Sequence, residues 1–171
     1  MRLLGQHSIG HVLAGVAVAL ERGRSLAELG PAIGALEPVE HRLQLIESPG
    51  GVTVIDDAYN SNPEGAAAAL EVLAAMPGRR KVVVTPGIVE LGPLQESANE
   101  EFGRHAARVA DEVIFVARLN RDALVRGAET EGSATVTVVD SLDRATERLA
   151  EILRSGDAVL FENDLPDQLE G

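Results

Sequence analysis

Cysteine is absent from the 171 residues, which excludes a disulfide framework and thiolate chemistry. Four histidines without cysteine partners are also a poor start for a zinc site. Tryptophan is missing, and one tyrosine with three phenylalanines makes up the whole aromatic complement, so any core must rest on aliphatic side chains. Positive charge is scarce: 15 Lys and Arg face 27 Asp and Glu, a net charge of -12, and Lys81 is the only lysine. Such a chain has no electrostatic grip on nucleic acid or an anionic membrane, because both need clustered cations to displace counterions. No G-x-x-x-x-G-K-[ST] loop occurs, so the backbone cradle for nucleoside triphosphate phosphates is lacking. The longest apolar-leaning stretch, Ile9 to Leu20, is too short for a membrane span and contains His11; the N-terminus has neither the basic start nor the cleavage site of a signal peptide. These absences lead to the expectation of a cytoplasmic protein without nucleic-acid or membrane partners.

What is present describes a folded domain. The residues are 45% apolar and 25% charged, an ordinary balance for a globular chain, and the length suffices for one core with a small appendage. Residues 1–36 read as two short helices. Ser8 is placed to cap the first, which runs through the alanines and valines to Leu20 and stops at Gly23; Ser25 with Glu28 forms a capping-box pattern for the second. Pro38 breaks the helical text. From Arg42 onward, apolar runs of strand length at 43–47, 52–55, 81–85, 112–116, 135–139 and 158–161 alternate with helical patterns at 63–75, 95–110, 121–131 and 142–154. Ser48-Pro49-Gly50-Gly51 is turn chemistry and joins the first two strands as a hairpin. The strand-helix alternation that follows requires parallel strands with right-handed crossovers. The predicted fold is α/β: a six-stranded, mostly parallel, doubly wound sheet with an N-terminal hairpin, preceded by a short helical segment. Sheets of this kind bind ligands beyond the carboxyl ends of their strands.

One stretch lies at such an end. In Val54-Ile-Asp-Asp-Ala-Tyr-Asn-Ser-Asn-Pro63 an apolar strand runs straight into two carboxylates, the lone tyrosine and two asparagines. Asn62 fits a helix cap and Pro63 the first helical position, so these two have a structural explanation. Asp56 and Asp57 do not: adjacent like charges at the end of a buried strand need compensation, and carboxylates there suit ribose hydroxyls or a metal's water shell. A phosphoacceptor receiver domain shares the acidic strand end, but Thr85 and Phe161 occupy the strand ends where it needs an aspartate and a lysine.

The motif Asp56-Asp-Ala-Tyr-Asn-Ser-Asn-Pro63, followed by alanine-rich text to Met76, resembles the start of the C-terminal domain of the Mur ligases, most closely the MurF branch. Three further stretches match in order: residues 3–29, with Gly5-Gln6-His7, resemble the end of the family's central ATPase domain. Glu37 to Ile46, with His41-Arg42, resembles its linker and first C-terminal strand. Val82 to Gly92, ending Glu90-Leu91-Gly92, resembles a later strand and loop. The resemblance implies a Rossmann-like C-terminal domain at 37–171, with 1–36 as the helical end of the ATPase domain. The activity it implies is ATP- and magnesium-dependent coupling of a carboxylate on a UDP-linked cell-wall precursor to an amine-bearing amino acid or peptide. By position, Asp57 would hold the ATP ribose, Arg42 reach the phosphates, His7 lie near the adenine, and Tyr59, Asn60 and Asn62 line the cleft near the nucleotide and amine. Without the P-loop the chain is expected to be inactive alone, a fragment of a longer ligase. The competing reading is a non-catalytic Rossmann-like module binding a nucleotide or a partner protein.

The sequence departs from the family pattern where Ser8 and His11 replace asparagines, where Thr85-Pro86-Gly87 replaces Gly-Asp, and where Phe161-Glu162-Asn163-Asp164-Leu165-Pro166-Asp167 replaces a Lys-Gly-Ser type loop. The last change exchanges a cation for carboxylates, which favours an ammonium or cationic group and repels a carboxylate. Arg118, Asn120 and Arg121 follow a strand at the same sheet edge and read as a helix cap with surface arginines, and His105 as packing.

Overall fold

The computed structural model describes residues 3–48, 50–116 and 119–163. Arg118 and the 164–167 part of the acidic loop lie outside the described residues. Two helices come first, α1 (His7–Glu21) and α2 (Leu26–Gly34). They are followed by β1 (Gln44–Glu47), β2 (Thr53–Asp57), α3 (Pro63–Ala75), β3 (Lys81–Thr85), α4 (Gln95–Val109) and β4 (Glu112–Val116). Then come α5 (Arg121–Glu131), β5 (Thr135–Val139), α6 (Leu142–Ile152) and β6 (Ala158–Glu162). The six strands form one sheet in the order β1-β2-β6-β3-β4-β5. β1 is antiparallel to β2, and every other pairing is parallel.

The apolar runs are continuous because the parallel strands are buried on both faces. Val83, Val113, Phe115 and Leu160 enter the larger core with side chains of α3, α4 and α5. Their neighbours Val82, Ile114 and Val159 enter a smaller one with Ala145 and Leu149 of α6. Helices α4 and α5 approach to backbone distance, for a Cβ on Gly103 would collide with the Leu124 carbonyl and one on Gly127 with the Glu100 carbonyl. On the α6 side, Glu112 opens β4 with no exposure. Its Oε1 accepts from Arg148 Nε at 2.8 Å and Thr137 Oγ1 at 3.2 Å, and its Oε2 from Arg80 Nη2 at 2.5 Å.

The last of the described strands lies inside the sheet. β6 lies between β2 and β3, with Asp57 paired to Glu162 and Val84 to Phe161. The chain therefore leaves β2 over α3, passes the gap that β6 later fills, and returns under α6. In an open α/β sheet a crevice forms beside such a reversal, at the carboxyl ends of the strands.

Helix α1 buries only Ser8 and α2 buries nothing. The Ser25–Glu28 capping box is present in full, but Ser8 does not cap α1. Gly5, at φ +79°, turns the chain early enough that Gln6 becomes the cap residue, so Ser8 falls in the first turn and donates to the Leu4 carbonyl at 2.7 Å.

Candidate functional site

Past the end of β2 lies a cleft of about 580 Å³ lined on one side by His7 and on the other by Arg42, Asp57, Asn60, Ser61 and Asn62. Five of the six residues expected from the sequence thus share one cavity. The sixth, Tyr59, is 66% exposed at the cleft's edge, and the Arg42 guanidinium stacks over its ring at 4.4 Å from the centroid. That stack combines cation–π attraction with a flat support for the planar guanidinium.

The paired aspartates find their compensation in the loop before β1. Asp56 Oδ2 lies 2.8 Å from His41 Nδ1, and its Oδ1 accepts from the Ala58 amide at 3.2 Å. Asp57 Oδ1 accepts from the Leu43 amide at 3.0 Å, and the Tyr59 amide donates to the His41 carbonyl at 3.2 Å. Held this way, His41 and Leu43 take left-handed backbone angles, φ +58° and +47°. Such angles cost a non-glycine residue on the order of 1 kcal/mol or more each and gather at functional sites. The strain aims Arg42, between them, at the cleft mouth. Burial pushes the Asp57 carboxyl above the usual aspartate range, against the Leu43 amide and the nearby Arg42 and His7 charges, which favour its anion.

Other residues are committed elsewhere. Asn62 Oδ1 caps α3 by accepting from the Gly65 amide at 2.8 Å, so its oxygen is occupied although it lines the cleft. His7 sits edge-on to His11, ring centroids 6.2 Å apart. Asn120 does not cap α5: it is buried, accepts from Gln95 Nε2 at 3.0 Å and donates to the Ile88 carbonyl at 3.2 Å, pinning the loop after β3. Arg121 faces a different groove, between β5 and α6. Burial lowers the basicity of His105, in keeping with a packing role.

One residue lining the cleft, Ser61, was not foreseen, nor was the buried carboxyl behind it. The Ser61 hydroxyl hydrogen-bonds Oε1 of Glu162, a side chain 1% exposed at the end of β6. Desolvation pushes the Glu162 carboxyl up to about 8, with the Asp57 charge adding to the rise and the hydroxyls of Ser61 and Thr85 opposing it. The folded state thus holds this proton where an unfolded glutamate, with its ordinary value of 4.5, has lost it. The group's contribution to stability is therefore greatest at low pH and declines as pH rises from 4.5 through about 8. Glu162→Gln should remove that part of the slope from a pH series of denaturation midpoints; a variant with the parent's slope would contradict the assignment.

The Mur ligase pattern for the glutamate ligase domain matches residues 41–162. The chain belongs to the Mur ligase family. The UDP-N-acetylmuramoyl-tripeptide--D-alanyl-D-alanine ligase of Mycobacterium leprae is 37% identical over 176 residues, covering 92% of this chain and 34% of the relative. The Mycobacterium tuberculosis (strain ATCC 25618 / H37Rv) enzyme of the same name is 34% identical over 169 residues, covering 91% and 32%. Among solved structures, MurF of Acinetobacter baumannii superposes with a TM-score of 0.81 at 26% identity, covering 95% of this chain and 36% of that one. MurF of Thermotoga maritima in complex with ADP gives 0.75 at 26% identity, covering 94% and 35%. This Mur ligase chain thus spans about a third of the length of these relatives. The domain matched is the family's C-terminal one, and its Rossmann-like sheet is the fold expected from the sequence.

Proposed function

We propose that the chain is the closing domain of an ATP-dependent ligase that couples a carboxylate on a UDP-linked cell-wall precursor to the amine of an amino acid or peptide. In this reading residues 1–36 end the preceding ATPase domain and residues 37–171 close over its nucleotide. The observation that carries the reading is the convergence of Arg42, Asp57 and His7 on one cleft past the end of β2.

The donor set fits a nucleotide. Asp57 offers carboxylate oxygens to ribose hydroxyls while its Leu43 contact fixes its orientation. Arg42, supported on Tyr59 and fixed by the strained loop, is positioned to clasp a phosphate through two N–H groups. Asn60 supplies both a donor and an acceptor to the amine side. ATP, when bound, supplies the phosphoryl group that activates the carboxylate. Among the described residues no three His, Asp or Glu side chains gather as a metal cage; magnesium would take its ligands from the phosphates and from protein outside this chain. What these residues contribute is positioning and charge neutralisation.

The test uses the full-length protein expressed from the source gene, with ATP, magnesium, a UDP-linked muramoyl tripeptide and D-alanyl-D-alanine. Phosphate release should depend on the amine. Asp57→Ala and Arg42→Ala should each lower kcat/KM by about 10- to 100-fold, the range of a lost hydrogen bond to a charged group. Phosphate release that ignores the amine, or variants that match the parent, would sink the reading.

A further inference from the structure

Glu162 has a group left over. Its Oε1 is held by Ser61, but among the described residues its Oε2 is buried with no partner in hydrogen-bond geometry, although the Thr85 hydroxyl is near enough to favour the anion. A buried carboxyl oxygen in that condition carries a desolvation penalty that a binding site relieves when a donor arrives. Among the described residues, the groups that act on it bring no cation: β2 contributes Asp57, β3 the Thr85 hydroxyl, and the loop before α3 the Ser61 hydroxyl. Arg42 is stacked on Tyr59. Ser61 faces two ways, lining the cleft and holding Glu162.

A positive donor would complete this arrangement. A divalent metal is a poor match, because it needs about six oxygen ligands and no cluster of three metal-ligating side chains occurs among the described residues. A primary ammonium carries three N–H donors on a compact charge, which suits one carboxylate with hydroxyls beside it. We propose that Ser61 and Glu162 form an ammonium subsite, in which the ligand's –NH3+ group donates to Ser61 Oγ and to the Glu162 carboxylate at the carboxyl ends of β2 and β6. That the ligand is the incoming amine of a ligation rests on the function proposed above; the subsite itself does not.

Docking is linked to a proton. Glu162 is a neutral acid below about pH 8, so at neutral pH the exchange is R–NH3+ plus Glu162–COOH giving the R–NH3+ · –OOC–Glu162 pair and one released H+. Affinity should therefore rise with pH until Glu162 is ionised. With Asp57 close by, the subsite favours amines whose far end is neutral or cationic over those with a carboxylate near the amine.

The experiment follows the side-chain carboxyl of Glu162 by carbon-13 NMR in the 171-residue chain through a pH titration. One series contains D-alanyl-D-alaninamide and a second its N-acetylated, uncharged counterpart. The ammonium compound should lower the Glu162 midpoint by about one unit, a tenfold linkage, and the acetylated one should leave it in place. Ser61→Ala should shrink the shift, and Glu162→Gln should abolish the amide-proton perturbations at residues 60–62. An unchanged midpoint at tens of millimolar amine, or equal shifts with both compounds, would overturn the subsite. No ATP or second substrate is in the tube, so this result and the phosphate-release result can fail separately.

Discussion

Gly127→Ala is expected to lower the stability of the chain by about 3 kcal/mol, the far end of the usual cost of overpacking. The added methyl meets the Glu100 carbonyl and the Arg104 amide of α4, which are backbone atoms that no rotamer change can move aside. Helices α4 and α5 must separate instead, which loosens the contacts of Phe102, Ala106 and Leu124 in the larger core. Alanine's better helix propensity returns at most about 1 kcal/mol, too little to change the sign. In a domain of this size the net loss corresponds to a fall in melting temperature of roughly 6 to 12 °C. Gly103→Ala should act through the same interface, since its methyl meets the Leu124 backbone. The double variant should accordingly lose less than the two single losses added together, because one separation accommodates both. Additive losses in thermal denaturation would mean that the two glycines do not share a seam.

Replacing both Arg80 and Arg148 by methionine should destabilise the chain far more than Glu112→Met. Glu112 is fully buried, whereas the two guanidiniums are about a third exposed, at 32% and 34%. Taking the cations away leaves a carboxylate in the interior with, among the described residues, only the Thr137 hydroxyl to answer it, and an uncompensated buried charge is the costly way to break an ion pair. Removing Glu112 leaves two arginines that can turn toward water, and an apolar side chain of similar volume takes its place at little net cost. The comparison of denaturation midpoints decides: equal losses from the two changes, or a larger one from Glu112→Met, would show that the cluster is held by the arginines' packing and not by the buried charge.

The strands and helices were legible because their signals are local. Val-Val-Val-Thr after Lys81 and Glu-Val-Ile-Phe-Val at 112–116 are continuous apolar runs, which a parallel sheet covered on both sides demands. Pro63 and Asn62 marked the start of α3 by the chemistry of its cap. The aspartates at the end of β2 announced a polar strand end, and the need for compensation announced that something must answer them. What answers them was not legible, because left-handed backbone at His41 and Leu43 depends on hydrogen bonds to a strand that follows later. The Ser61–Glu162 pair joins residues 101 apart in sequence; no periodicity or spacing connects such partners. Glu112 read as the first residue of a strand, and only the arrival of Arg80 and Arg148, 32 and 36 residues away, explains a carboxylate with no exposure. Asn120 looked like a cap because it precedes a helix, yet the loop after β3 is a stronger claimant for its amide.

The position of β6 has a consequence for how the chain acquires its structure. The last of the described strands supplies the middle of the sheet, so the pairings of β2 and β3 with it join residues separated by about half the chain or more. Loop-closure entropy for those pairings is lost before their contacts form, which raises the contact order and slows folding. Until residues 158–162 leave the ribosome, β2 and β3 each present an open edge to the cytosol of any host that makes the protein. A nascent chain halted before that point exposes two unpaired strand edges, which are templates for aggregation.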